Sequence, residues 1–243
     1  MKKSMLFSLA VIFLLIPATL YLGTRLTGRM YYLTSTLMVI EMMLPFFFAF
    51  ETRKPQAREL VTIAVMCALS VAARVVIQIP GFKPMLAVIM ITGIALGPEA
   101  GFMTGAVTAF ASNFFFSQGP WTPWQMMAYG MGGFLAGVLY RKGMPGGRHS
   151  YLATAVLSGI GFVMAALIVG PLLDTCTIFT TGTKPTWKYA LAVYAAGFPF
   201  NLSFGVATAV TLLLISRPFL GKLERLKRKY GILETDGEGP VAK

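Results

Sequence analysis

The sequence predicts an all-α, polytopic membrane helix bundle, on three observations. First, the 243 residues are 56% hydrophobic and only 12% charged, about half the charged fraction of a soluble domain, and mean hydropathy is +0.70. Second, the apolar residues are blocked into runs near the roughly 20 residues that cross a bilayer. Transmembrane strands, about 9–11 residues of alternating polarity, are not visible. Third, the basic residues lie between the runs and mostly on one side.

The runs are 5–22, 30–50, 60–79, 85–97, 101–116, 124–140, 151–173 and 189–216, which makes eight spans. The fourth is short, and the last is long enough to tilt or to carry one end out of the lipid. The first, "MKKSMLFSLAVIFLLI", begins like a secretory signal. No small-x-small cleavage site precedes Gly23 and the apolar run continues to Leu22, so an uncleaved helix is the favoured reading. With both termini cytoplasmic, fifteen Lys and Arg fall on inner segments and five (Arg25, Arg29, Lys83, Lys184, Lys188) on outer ones, with Arg74 alone inside a span. That bias is the positive-inside signature. It assigns the net charge of +12 to membrane orientation and not to nucleic acid.

The polar stretch "ETRKPQARE" divides the chain. Residues 1–50 form an N-terminal transmembrane hairpin, 51–58 a cytoplasmic linker, 59–217 a six-helix membrane core, and 218–243 a basic then acidic cytoplasmic tail. In the hairpin, Glu41 is a carboxylate within an apolar span. Such groups are costly and usually functional, and structural pairing and function stand equally open for it. In the third span, Ala64, Ala68 and Ala72 recur every fourth residue on one helix face. Small residues let membrane helices approach closely, so this stripe is a candidate docking face, although packing within the chain is the readier reading. Gly93 and Gly97, Gly101 and Gly105, and Gly133 and Gly137 give three further spans small-residue pairs, with a tight turn at "LGPEAG". Cys67 and Cys176 have no CxxC or metal-ligand neighbourhood, so packed thiols are expected.

Several chemistries are excluded. The one histidine, His149, lies in the loop "RKGMPGGRH", so neither an intramembrane Ser/His dyad nor an HExxH zinc site can form. No GxxxxGK[ST] loop occurs, and no carboxylate pair is spaced for acid–base work or a proton relay. An enzyme is not expected, and neither is a cofactor or metal. What remains is a polar and aromatic set facing outward: the loops "IPGFK" (79–83), "SQGPWTP" (117–123) and "LDTCTIFTTGTKPTWK" (173–188), with the helix ends around them. Arg74, Gln78, Asn113, Gln118, Trp121, Trp124, Gln125, Tyr129 and Asn201 are the candidate binding residues, flanked by Tyr189 and Tyr194. Aromatic faces with amide donors and acceptors suit a ring-bearing ligand of low charge. Each tryptophan, including Trp187, is also compatible with an interfacial aromatic belt. Asn113 and Asn201 are harder to dismiss, because an amide is unfavourable against lipid.

From about Arg58 to Arg217 the chain resembles the substrate-specific S component of an energy-coupling factor (ECF) vitamin transporter. The alanine stripe, the "GIALGPEAGFMTGAVTAFASNFF" hairpin and the "QGPWTPWQM" elbow carry the resemblance. Within that family it is most similar to the branch with cobalamin-specific members, and riboflavin or another vitamin would suit the same residues. The resemblance implies capture of a vitamin on the outer face of a bacterial or archaeal cytoplasmic membrane. It implies toppling against a transmembrane coupling subunit powered by two cytoplasmic ATPases, with Ala64, Ala68 and Ala72 meeting that subunit and "IPGFK" gating the site. The first two helices lie outside the six-helix pattern. A stand-alone carrier and a structural membrane protein are the rival classes.

Overall fold

A computed structural model describes residues 7–8, 10–25, 31–80, 82–140, 151–181 and 185–231. A π-turn, Val11–Leu15, leads into α1 (Ile16–Arg25), followed by α2 (Tyr31–Thr52), α3 (Ala57–Val76), α4 (Met85–Leu96), α5 (Pro98–Phe116) and α6 (Thr122–Leu139). Then α7 (Tyr151–Met164) runs through a second π-turn (Ala165–Val169) into α8 (Gly170–Thr180), and α9 (Trp187–Tyr230) closes the chain. Among the described residues every regular element is helical, and the bundle is polytopic. Leu33–Thr52, Ala57–Val76, Tyr151–Thr180 and Trp187–Tyr230 are each long and apolar enough to cross a membrane. The loop "RKGMPGGRH" with His149, the tail after Gly231, and Gly81 of "IPGFK" lie outside the described residues.

The short fourth span is the centre of the molecule. All twelve residues of α4 are buried, as expected of a helix that is apolar all round. Its neighbours reach it through backbone contacts. A Cβ added to Gly93 would stand 2.1 Å from the Gly133 carbonyl oxygen, and one on Gly101 would stand 2.5 Å from the same oxygen. One on Gly137 would meet Pro98 Cα at 2.6 Å. The glycines therefore interlock α4, α5 and α6 with one another and do not form separate pairs on each helix. At the α4–α5 turn, Gly97 adopts φ 101°, a conformation open to glycine, and Pro98 begins α5, where its missing N–H is not needed.

The N-terminal hairpin is fastened by aromatic packing. Phe46 stacks on Phe102 at 4.2 Å between centroids and meets Phe134 edge-on at 5.1 Å, while Phe47 meets Phe102 edge-on at 5.8 Å. Glu41 is buried and accepts the Thr19 hydroxyl at 2.5 Å. The carboxylate thus joins α1 to α2 and has no contact with Arg74.

Two elements run past their expected ends. The loop expected at 173–188 is helical up to Thr180. Its threonines satisfy themselves there: Thr175 donates to the Pro171 carbonyl and Thr180 to the Cys176 carbonyl, both at 2.7 Å, and Thr181 donates to Thr177 at 3.0 Å. Such back-bonding lets hydroxyl residues persist in helices. Likewise α9 passes through Pro199, the 217/218 boundary and Pro218, and ends only at Gly231, a left-handed cap. Its 44 residues are about 66 Å long, more than a hydrocarbon core of about 30 Å needs.

At the linker end, Arg53 forms an ion pair with the buried Glu59 and donates to the Leu96 carbonyl at 3.3 Å. Lys227 donates to the neighbouring Ala95 carbonyl at 2.9 Å. These contacts tie α2, α3 and α9 to the C-terminal end of α4.

Candidate vitamin site at the elbow

The end of α3, the end of α5 and the start of α6 meet at the elbow, residues 117–121. Arg74 is 8% exposed. Its Nη1 donates to Ser112 Oγ at 2.5 Å and to Asn113 Oδ1 at 3.0 Å, and its guanidinium lies 4.9 Å from the Phe116 ring. The fully buried Asn113 spends both amide hydrogens on α6, donating to Thr122 Oγ1 at 3.0 Å and to Gln125 Oε1 at 2.9 Å. Thr122 donates to Gln118 Oε1 at 2.9 Å and accepts from the Gly119 N–H at 3.2 Å. The Gln118 amide donates to the Phe110 carbonyl at 2.9 Å. Between them Ser117 is held at φ 74°, a region that costs a non-glycine residue about 1–3 kcal/mol. Five polar side chains thus form one connected network around one cation, and they over-determine the strained turn.

A family profile described as ECF-type riboflavin transporter, S component, matches residues 54–220. The chain belongs to that family. No curated protein and no solved structure matches the chain.

In this S component the predicted site residues fall into three groups, with two residues outside them. Arg74, Asn113, Gln118 and Gln125 belong to the elbow network. Trp124 and Tyr129 line the interior of α6: Trp124 stacks on Phe179 of α8 at 5.8 Å and 12°, and the fully buried Tyr129 meets Phe204 edge-on at 6.2 Å. The Trp124 Nε1 and Tyr129 hydroxyl are buried with no hydrogen-bond partner among the described residues. Asn201 belongs to a different seam, donating to Asp174 Oδ2 at 2.6 Å between α8 and α9. Thr175 and Tyr194 bond at 2.9 Å in the same seam. Trp121 and Gln78 stand apart from all of these. Trp121 is exposed and folded back over Gly119, and Gln78 is exposed, donating only to the Val75 carbonyl. Ser112, Thr122 and Phe179, which contact Arg74, Asn113 and Trp124, are candidate residues that sequence reasoning missed. Ser112 beside Asn113 in one apolar span was the available signal, as was Thr122 at the start of a helix between two tryptophans.

An apolar crevice of about 280 Å³, lined by none of the network residues, opens between α2, α6 and α8, walled by Trp124, Met127, Phe179 and, from the hairpin, Met38, Val39 and Met42. It is just below the roughly 300–1,000 Å³ usual for ligand pockets. On the opposite face of α3, Ala64, Ala68 and Ala72 are all exposed, so none of the described residues covers the stripe. Next to it, Val61, Val65 and Leu69 form one wall of an open groove of about 670 Å³, whose other wall is Phe219, Leu223 and Leu226 of α9.

Proposed function

We propose that this S component captures a ring-bearing vitamin at the elbow end, which faces outward. It delivers the vitamin by toppling against a transmembrane coupling subunit powered by two cytoplasmic ATPases. The observation that carries the reading is the exposed stripe of Ala64, Ala68 and Ala72 on α3. In lipid, a small-residue face left uncovered by its own chain is adapted to another helix. The chain has no phosphate-binding loop of its own, which accords with energy supplied by partners. The bacterial or archaeal cytoplasmic membrane is the expected location, with residues 1–50 an addition to the six-helix core of 59–217.

Between cobalamin, favoured by the resemblance to the branch with cobalamin-specific members, and riboflavin, the matched family's description supports a flavin-type ring. The crevice beside Trp124 and Phe179 also suits a flat ring better than a bulky macrocycle. Thermal-shift measurements of the purified protein against the B vitamins, cobalamin and riboflavin included, test the ligand. Replacing Ala68 by Trp tests the docking face: uptake in cells with the partner subunits is expected to vanish while vitamin binding persists. Normal uptake by that variant sinks the docking reading, and stabilisation by no vitamin sinks the binding reading.

A further inference from the structure

We propose that the groove between α3 and α9 seats an anionic phospholipid of the cytoplasmic leaflet, its acyl chain between the apolar walls and its phosphate drawn to Arg58 and Lys222. The proposal goes beyond vitamin capture and does not depend on it. The groove is one leaflet deep. From Arg58 to Leu69 on α3, and from Tyr230 back to Phe219 on α9, each wall rises about 17 Å, close to half of a hydrocarbon core of about 30 Å. The Arg58 Nη1 donates to the Tyr230 carbonyl at 3.1 Å, and its guanidinium lies 5.6 Å from the Tyr230 ring, which joins the two walls at one end. That end carries the linker and the tail, whose basic bias marks the cytoplasmic side.

Charge selects the lipid. Arg58 and Lys222 are the charged side chains lining the groove, and both are exposed. Among the described residues neither has a carboxylate partner, because Glu59 pairs with Arg53 and Glu224 with Arg228. From Arg217 to Lys229, α9 carries six Lys or Arg against Glu224 alone. Such clusters at the cytoplasmic end of a transmembrane helix attract anionic lipid, and basic pockets between helices take its headgroup. Other members of the cluster are turned elsewhere: Lys227 to the Ala95 carbonyl, and Arg217 over the Tyr151 ring at 3.9 Å. Lys222 lies about two turns deeper than Tyr230, and its long stem can cover the apolar wall while the ammonium reaches toward the mouth. The walls also favour an acyl chain over a helix. Close helix contact in lipid uses small residues, whereas Ala64, Ala68 and Ala72 line no part of the groove and its walls are Val, Leu and Phe.

The test is native mass spectrometry of the full-length protein in detergent, titrated with phosphatidylglycerol or with phosphatidylcholine of the same acyl chains. The first phosphatidylglycerol is expected to bind roughly tenfold tighter than phosphatidylcholine or more. In Arg58→Gln with Lys222→Gln that preference falls to about twofold or less. Arg141→Gln with Lys142→Gln removes the same charge from the loop after α6 and keeps the preference. Val65→Trp fills the groove from an exposed position and weakens binding of both lipids. Equal binding of the two lipids by the wild type overturns the inference. So does a preference that survives Arg58→Gln with Lys222→Gln, or binding that Val65→Trp leaves unchanged. A dimer that Val65→Trp dissociates assigns the groove to a second copy and overturns it too. The same holds if the chain alone takes up no lipid while Val65→Trp abolishes uptake with the partner subunits present, which assigns the groove to the coupling subunit. In every case the vitamin reading is unaffected.

Discussion

Replacing Gly133 by Ala puts a single methyl group into the contact that joins three helices. The added Cβ would lie 2.2 Å from the Gly101 carbonyl oxygen, 2.6 Å from its carbon and 2.8 Å from Ile89 Cγ2. The two nearest obstacles are backbone, so a shift of the Ile89 side chain alone cannot relieve the clash. Restoring ordinary contact requires α5 and α6 to part by more than an ångström. That movement also withdraws the Gly133 carbonyl from the surface of Gly93, loosening α4. Overpacking costs about 1–3 kcal/mol and occasionally more, and backbone on both sides places this variant near ~3 kcal/mol. For a chain of this length that corresponds to a fall of about 6–12 °C in Tm. Cys67 and Cys176 are free and buried, so a thiol-reactive dye reports unfolding in detergent directly. Gly159→Ala is the matched control: nothing lies within 4 Å of its added Cβ, and relief of glycine's helix penalty should stabilise by about 0.5–1 kcal/mol. A Gly133→Ala protein melting within about 2 °C of wild type, less than one kcal/mol on the same scale, would refute the interlocked-backbone account.

Two other perturbations follow from features at the two ends of the bundle. Arg53→Ala strips the buried Glu59 of its ion pair and should lower stability by about 2–3 kcal/mol. The double change Arg53→Met with Glu59→Leu, which removes both charges, should recover most of that loss in the same melting assay. Ser117→Gly relieves the positive φ at the elbow and should raise Tm, by the equivalent of about 1 kcal/mol. It should also weaken vitamin affinity if the strained turn holds the Asn113 network in place, which titration of the variant will measure.

The helical spans were legible because bilayer length and apolar composition leave few alternatives. The outlying lengths of the fourth and eighth spans correctly marked α4 and α9 as unusual, although their reasons, burial on all sides and continuation past Pro218, depend on neighbours. The segment 173–180 was misread as a loop because its threonines look polar in sequence, yet in a helix a threonine hydroxyl can return a hydrogen bond to its own backbone. The alanine stripe was legible as a face, but its spacing cannot tell which chain covers it. Exposure of Ala64, Ala68 and Ala72 removes packing within the described chain from the choices. At the site, Arg74 and Asn113 were legible as polar residues that should avoid lipid. Their connection through Ser112 and Thr122 depends on the crossing of α3, α5 and α6, which no local pattern records. The pairing of Glu41 with Thr19 was hidden for the same reason. The charges at the linker end registered only as topology markers, since sequence does not reveal that Arg53 and Lys227 both find carbonyls at the end of α4.

The enclosure of α4 bears on how the protein is made. Twelve residues of helix rise about 18 Å, well short of a hydrocarbon core of about 30 Å. A membrane-insertion machine handling this segment alone would meet a helix too short to span and with no neighbours to cover its ends. The one-residue turn at Gly97 joins it directly to α5, so the two are suited to enter as a hairpin. Even then α4 gains its final surroundings only when α6 and α9 arrive, the latter from the last quarter of the chain. Late in synthesis, then, a C-terminal truncation would leave the most apolar helix of the bundle facing lipid on a side built to face protein, a state that membrane quality-control proteases are equipped to find.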